Sequence, residues 1–319
     1  VHLAMARSVA RSANRDALRI LDTGLEATSH IEDEGTRLVS ELVLRNEALG
    51  ALWPLGHFDA MFAHLEHAQR ITTLLGDPKR QAGVSLQQAV LHWGRGNPGL
   101  GLEAAQAAQA AAVKAGSRGA QMAAAQVELM LCHGLGRYAD LVERARRLEE
   151  EFSSELVAGR MMLGWATVPG INLLVFTADA LARLGDEEQA QQTCDRAYRE
   201  LAQREHAFSR ALLDFSQTSL WLRQGRHADA VARLRETHRL CQQHDLLTMT
   251  PCIVGLLAEA LGQIGGTDEA RTLVEQALTD KAYQIAGLYS EFFLRYGLGR
   301  AMAAVSYTHL RAHETSLHL

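Results

Sequence analysis

HWGRGNPGLGLEAA, residues His92–Ala105, carries Gly94, Gly96 and Gly99 in the order G-x-G-x-x-G and runs into an alanine-rich stretch. That order wraps a dinucleotide pyrophosphate when a strand precedes it and an acidic residue follows about 20 positions on, inside a βαβ unit. Neither condition holds here. QAGVSLQQAVLHW, in front of it, has the spacing of an amphipathic helix, and AAQAAQAAAVKAG lies behind it. The glycines need another explanation, and a repeat supplies one.

Gly56, Gly96, Gly136, Gly185, Gly225 and Gly265 are spaced by 40, 40, 49, 40 and 40 residues, in the phrases LGHFDAM, RGNPGLG, LGRYADL, LGDEEQA, QGRHADA and IGGTDEA. Five residues after each glycine stand Met61, Gly101, Leu141, Ala190, Ala230 and Ala270; twelve after stand Ala68, Ala108, Leu148, Ala197, Thr237 and Ala277. Most are small. Four before stand Leu52, His92, Cys132, Leu181, Trp221 and Leu261, mostly apolar. A period near 40 holds two helices of about 15 residues and two short turns. Helix A ends at the glycine, which adopts the left-handed conformation that closes a helix. Helix B starts two or three residues later, and its small residues let helix A approach. Pro78 after Asp77, and Pro98, read as first-turn prolines of helices. The prediction is an all-α, right-handed superhelical solenoid of about seven hairpins.

Bulk composition agrees. The chain has 319 residues, 47% hydrophobic and 22% charged, as a soluble protein with a core should. Five prolines, many good helix formers and no alternating β-branched runs leave no place for a sheet. The net charge of −5 argues against a nucleic-acid partner. No apolar run reaches the roughly 20 residues that span a bilayer, and the N-terminus lacks signal-peptide order, so a cytoplasmic chain is expected. Cys132, Cys194, Cys241 and Cys252 form no C-x-x-C pair, which argues against a disulfide framework or a zinc site. Val1 stands in a helical pattern with no initiator Met, as expected for a fragment of a longer protein.

Glycine, then a small residue five later, an apolar or small one nine later and a small one twelve later is the order of the tetratricopeptide repeat, and this chain resembles that family from about Ser12 to Ala301. Tyr138 and Phe58 keep the aromatic position after the glycine; Glu187, His227 and Thr267 do not. RSANRDALRILDTGLEA, LRNEALGALWPLGHFDAMFAHLEHAQRITTLLGDPKRQAGV and GINLLVFTADALARLGDEEQA resemble a narrower bacterial group. Its members carry a class III adenylate/guanylate cyclase domain, an AAA-type ATPase domain and a long C-terminal tetratricopeptide region. The resemblance implies that this chain is that last region alone. It lacks a G-x-x-x-x-G-K-[ST] loop, so no catalytic residue carries over and no cofactor is implied. Similar helical regions end large ATP-dependent transcription activators and sensor kinases.

Two segments break the register. AVSYTHLRAHET, Ala304–Thr315, resembles the translated read-through of a transposase-based sequencing adapter. On that reading residues 304–319 are not native, their histidines are no metal site, and the solenoid covers 1–303. SSELVAGRMMLGWATVPGINLL, Ser153–Leu174, adds nine residues to one interval, as a hinge or a packed extra segment. Its apolar content favours packing.

Among candidate sites, His57, His64 and His67 share helical spacing but have no fourth ligand by spacing, so solvated histidines are expected rather than a metal. Glu149, Glu150 and Glu151 read as a solvated face. No G-x-S-x-G or nucleophile–base pair occurs, so this chain is expected not to be an enzyme. The register offers something better. Residues ten, six and three before each glycine should face the concave wall of a solenoid. Three before stand Trp53, Trp93 and His133, then Ala182, Leu222 and Gly262; ten before stand Asn46, Leu86, Gln126, Val175, Phe215 and Gly255. Trp53, Trp93 and His133 would form an aromatic ladder, flanked by Asn46, Leu86, Gln126 and Phe215. It either anchors a partner or packs between helices. The functions in play are a regulatory module binding a protein, a peptide or its own upstream catalytic domains, the effector-binding arm of a transcription activator, and a self-association scaffold.

Overall fold

A computed structural model of the chain describes residues 1–153, 156, 166–280 and 291–304. Every regular element among them is a helix, so the all-α class expected from the sequence holds. The helices are α1 (His2–Ala10), α2 (Asn14–Thr28), α3 (Glu34–Leu52), α4 (Phe58–Leu75), α5 (Pro78–Gly94), α6 (Pro98–Lys114), α7 (Arg118–Gly134), α8 (Tyr138–Glu151), α9 (Pro169–Leu184), α10 (Glu187–Leu201), α11 (Ala207–Arg223), α12 (His227–Gln243), α13 (Thr250–Gln263) and α14 (Thr267–Thr279). Residues 291–304 are helical as well. Among the described residues, consecutive pairs of α1–α14 make seven hairpins, the number the repeat predicts.

The six repeat glycines close their A helices as expected. Gly56, Gly96, Gly136, Gly185, Gly225 and Gly265 all have positive φ, between 70° and 90°. At the opening motif the Gly96 amide bonds the Trp93 carbonyl and the Asn97 amide that of His92, and Pro98 starts α6. The G-x-G-x-x-G order thus sits between two helices, with no strand entering it. The first hairpin departs from the pattern: its turn is Ser12, at φ 57°, a conformation that costs a non-glycine residue about 1–2 kcal/mol.

A finer period escaped the sequence reading. Gly76 and Gly116, at φ 59°, close α4 and α6 midway between repeat glycines. Positions 56, 76, 96, 116 and 136 therefore form a 20-residue step in which both kinds of turn use the same device. Asp245, 20 residues after Gly225, takes the same conformation at φ 51°.

The chain divides into two compact units, Val1–Arg210 and Ala211–Leu319. In the first, Met5, Leu21, Leu42, Leu49, Met61 and Leu65 form one apolar cluster, and Leu129, Leu131, Leu141, Leu148 and Leu173 form another. Leu213, Leu234, Leu246, Ile253 and Leu257 are buried in the second. The small helix-B positions behave as the register requires: Ala68, Ala108, Ala190, Ala197, Ala230 and Ala270 are fully buried. At Gly101 an added Cβ would lie 2.5 Å from Leu131 Cδ2 and 3.0 Å from the Ala89 carbonyl, so close approach demands glycine there. Asp77 caps α5, accepting from the Lys79 and Arg80 amides at 2.9 and 3.2 Å. Residues 154, 155 and 157–165 of the long interval, and residues 305–319 of the anomalous tail, lie outside the described residues.

Candidate binding surface

The end of each A helix sets the candidate ladder. Trp53, three residues before Gly56, ends α3; Trp93 holds the same place in α5 and His133 in α7. All three are half-buried. The Trp53 and Trp93 rings stack, centroids 6.1 Å apart and planes at 25°. Trp93 meets Phe176 of α9 edge-on at 6.0 Å, and Phe176 meets His133 at 5.2 Å. Phe58 and Tyr138, at the starts of α4 and α8, add edge contacts to Trp53 at 5.3 Å and to His133 at 5.7 Å. Such offset and edge arrangements suit the ring quadrupoles. Six rings from four hairpins thus form one connected strip.

Glycine makes the strip possible. A Cβ on Gly94 would lie 2.4 Å from the Trp53 ring, and one on Gly134 would lie 3.2 Å from that of Trp93. Each tryptophan rests on the backbone of the next A helix, so the rings pack between hairpins while keeping part of their surface in solvent.

One end of the strip is polar. His133 donates its Nε2–H to Asp179 Oδ2 at 2.5 Å, and Arg183 Nε donates to the same oxygen at 2.6 Å. Burial alone would raise the Asp179 pKa, but these two donors outweigh it and hold the carboxyl below its ordinary value. Arg183 also lies over the Tyr138 ring at 5.3 Å. This cluster joins α7 to α9 across the 49-residue interval.

The remaining predicted positions sit elsewhere. Asn46, Leu86 and Gln126 are buried on the A helices. Gln126 Nε2 donates to the Pro169 carbonyl at 3.1 Å, while its Oε1 and Asn46 Oδ1 have no hydrogen-bond partner among the described residues. Phe215 lies in the second unit, where its ring meets Phe293 at 5.7 Å. The sequence reading missed Phe176. Ala182 occupies the ladder's register position in α9 and is buried, so the ring that continues the strip comes from six residues earlier.

Of the three histidines His64 corrects the expectation of solvated side chains, while His57 is exposed and His67 half-exposed. His64 Nδ1 faces Arg45 Nη1 at 3.2 Å, and His67 Nε2 lies 3.3 Å from Glu41 Oε1. Burial, reinforced by Arg45, pushes the His64 pKa down to about 4. Glu149 of the acidic run pairs with Arg196 at 2.8 Å. That pair borders a cavity of about 510 Å³ near Val168 and Ile171, where Arg196 also bonds Glu200.

No family model and no curated protein matches this sequence. Solved structures do. The crystal structure of Rap protein complexed with Competence and Sporulation Factor aligns with TM-score 0.68 at 11% identity, over 99% of this chain and 88% of that one. NprR in complex with its cognate peptide NprX aligns with TM-score 0.64 at 15% identity, over 99% and 92%. The fold is of tetratricopeptide type. At these identities the likeness is one of fold. No helix among the described residues is long and apolar enough to cross a membrane.

Proposed function

We propose that this chain is a non-catalytic tetratricopeptide-type module that binds a peptide or a segment of a protein partner. The connected strip Trp53–Trp93–Phe176–His133, in which Phe176 is buried and the other three rings are half-exposed, carries the reading. Rings held in place by their neighbours offer apolar area at little entropic cost, which is what a binding anchor needs. Fold neighbours in complex with a peptide, NprX, and with Competence and Sporulation Factor support it. On the sequence resemblance we assign the module to a larger signalling protein with class III cyclase and AAA-type ATPase domains, in the cytoplasm. The upstream reading frame tests that assignment: a cyclase domain supports it, and a helix-turn-helix makes the module the arm of a transcription activator.

Selection of a random linear peptide library on the intact chain tests the binding itself. Recovered peptides should bind Trp93→Ala and His133→Ala about 30-fold more weakly than wild type, the effect of losing a 2 kcal/mol anchor. Leu100→Ala, which removes an exposed side chain of α6 outside the strip, should bind as wild type does. Equal affinity for all four proteins rejects the strip as the site.

A further inference from the structure

Six hairpins turn on glycine, and the first turns on serine. Ser12 adopts φ 57°, where glycine would be free of strain, and it is only 3% exposed. Its hydroxyl has a use. Ser12 Oγ accepts a hydrogen bond from the Phe208 amide at 3.5 Å, across 196 positions of sequence. Phe208 lies in the first turn of α11, where backbone amides have no partner inside the helix. The next amide, Ser209, donates to His206 Nδ1 at 3.1 Å, and Arg210 donates to the His206 carbonyl at 3.0 Å. Ser209 Oγ in turn accepts from the Val168 amide at 3.0 Å, at the start of α9. Ser12, Val168, His206, Phe208 and Ser209 are all buried, and all belong to the first unit.

We infer that Ser12 completes the N-terminal cap of α11 in trans, so that the first hairpin acts as a clasp whose docking and the order of the first turn of α11 depend on each other. A cap divided between segments 196 positions apart couples their stabilities, and such coupling is reciprocal. Whatever displaces α1 and α2, such as a partner seated on the first hairpin, uncaps α11. His206 fits the role only as a neutral ring, because Nδ1 must accept; burial, which disfavours the charged form, keeps it so.

Hydrogen exchange on the full chain tests the clasp. Ser12→Gly relieves the turn and removes the hydroxyl, so the hairpin still forms while the catch is lost. Exchange at 207–210 should then accelerate about five-fold, the net worth of one hydrogen bond, with α5–α8 unchanged. Ser12→Asn keeps a side-chain oxygen acceptor on a residue that tolerates the left-handed conformation, and should retain more protection at 207–210 than Ser12→Gly does. From the other side, His206→Ala should accelerate exchange in residues 2–28, and His206→Asn, which keeps an acceptor, should restore it. Unchanged protection at 207–210 in Ser12→Gly, a uniform change along the whole chain, or a His206→Ala effect confined to α11 overturns the inference.

Discussion

At Gly94 the missing side chain leaves room for the Trp53 ring, and at Gly136 it permits φ 70° with open space around it. At Gly83, inside α5, neither reason applies, since nothing lies within 4 Å of an added Cβ. Substitution by alanine separates the cases. Gly94→Ala should destabilise by about 1–3 kcal/mol through overpacking, despite better helix propensity. Gly136→Ala should cost about 1 kcal/mol through backbone strain alone. Gly83→Ala should stabilise by up to about 1 kcal/mol. Urea melts of the three variants give the signs. Charge makes a second residue-scale case. Burial pushes the Glu47 pKa up to about 7. A raised folded pKa gives stability below the unfolded value of 4.5, lost as pH rises toward about 7. His64 and His206, pushed down to about 4 by burial, act oppositely: their stability is full above 6.5 and is lost as pH falls toward 4. Glu47→Gln should therefore raise Tm at pH 8, by up to about 3 kcal/mol in stability, and leave it nearly unchanged at pH 4.5. A Tm gain at pH 4.5 equal to that at pH 8 would contradict the burial cost.

Helices here are joined by a few side chains placed at their ends. Trp93, on α5, touches rings of α3 and α9 and covers Gly134 of α7. Truncating it removes packing from four helices, and because the ring is half-buried the cost should fall at or below the 3–5 kcal/mol range of fully buried aromatics, at about 2–4 kcal/mol. Denaturant melts of Trp93→Ala measure that directly; a loss under about 1 kcal/mol would mean that the ring is only a surface feature. Caps are the other element-scale device. Asp186 begins α10 by accepting from the Gln189 amide at 3.1 Å, so Asp186→Ala should cost about 1 kcal/mol, again read from melts. These devices were partly legible. The Asp77-Pro78 start of α5 follows from residue chemistry, and Gly76 and Gly116 each stand 20 residues after a repeat glycine in the sequence itself. Phe176 was not legible, because the 49-residue interval shifts which side chain of α9 reaches the ladder.

For the whole molecule, each unit has its own buried apolar residues, and in stacked repeats stability is a sum of local and nearest-neighbour terms. Unfolding need not be two-state in such a chain. Hydrogen exchange along a urea series should resolve separate transitions for residues 1–210 and for those from 211 on; coincident transitions would show one cooperative body. The sequence by itself determined the class, the number of hairpins, their turns and the small buried positions of helix B. Each of these depends on periodicity and on what a backbone of given residues can do within some 40 positions. Only the tertiary structure decided which rings join into a strip, that Glu47 and His206 are buried, and that Ser12 meets Phe208. Those outcomes depend on how hairpins far apart in sequence come together, and no local spacing records that.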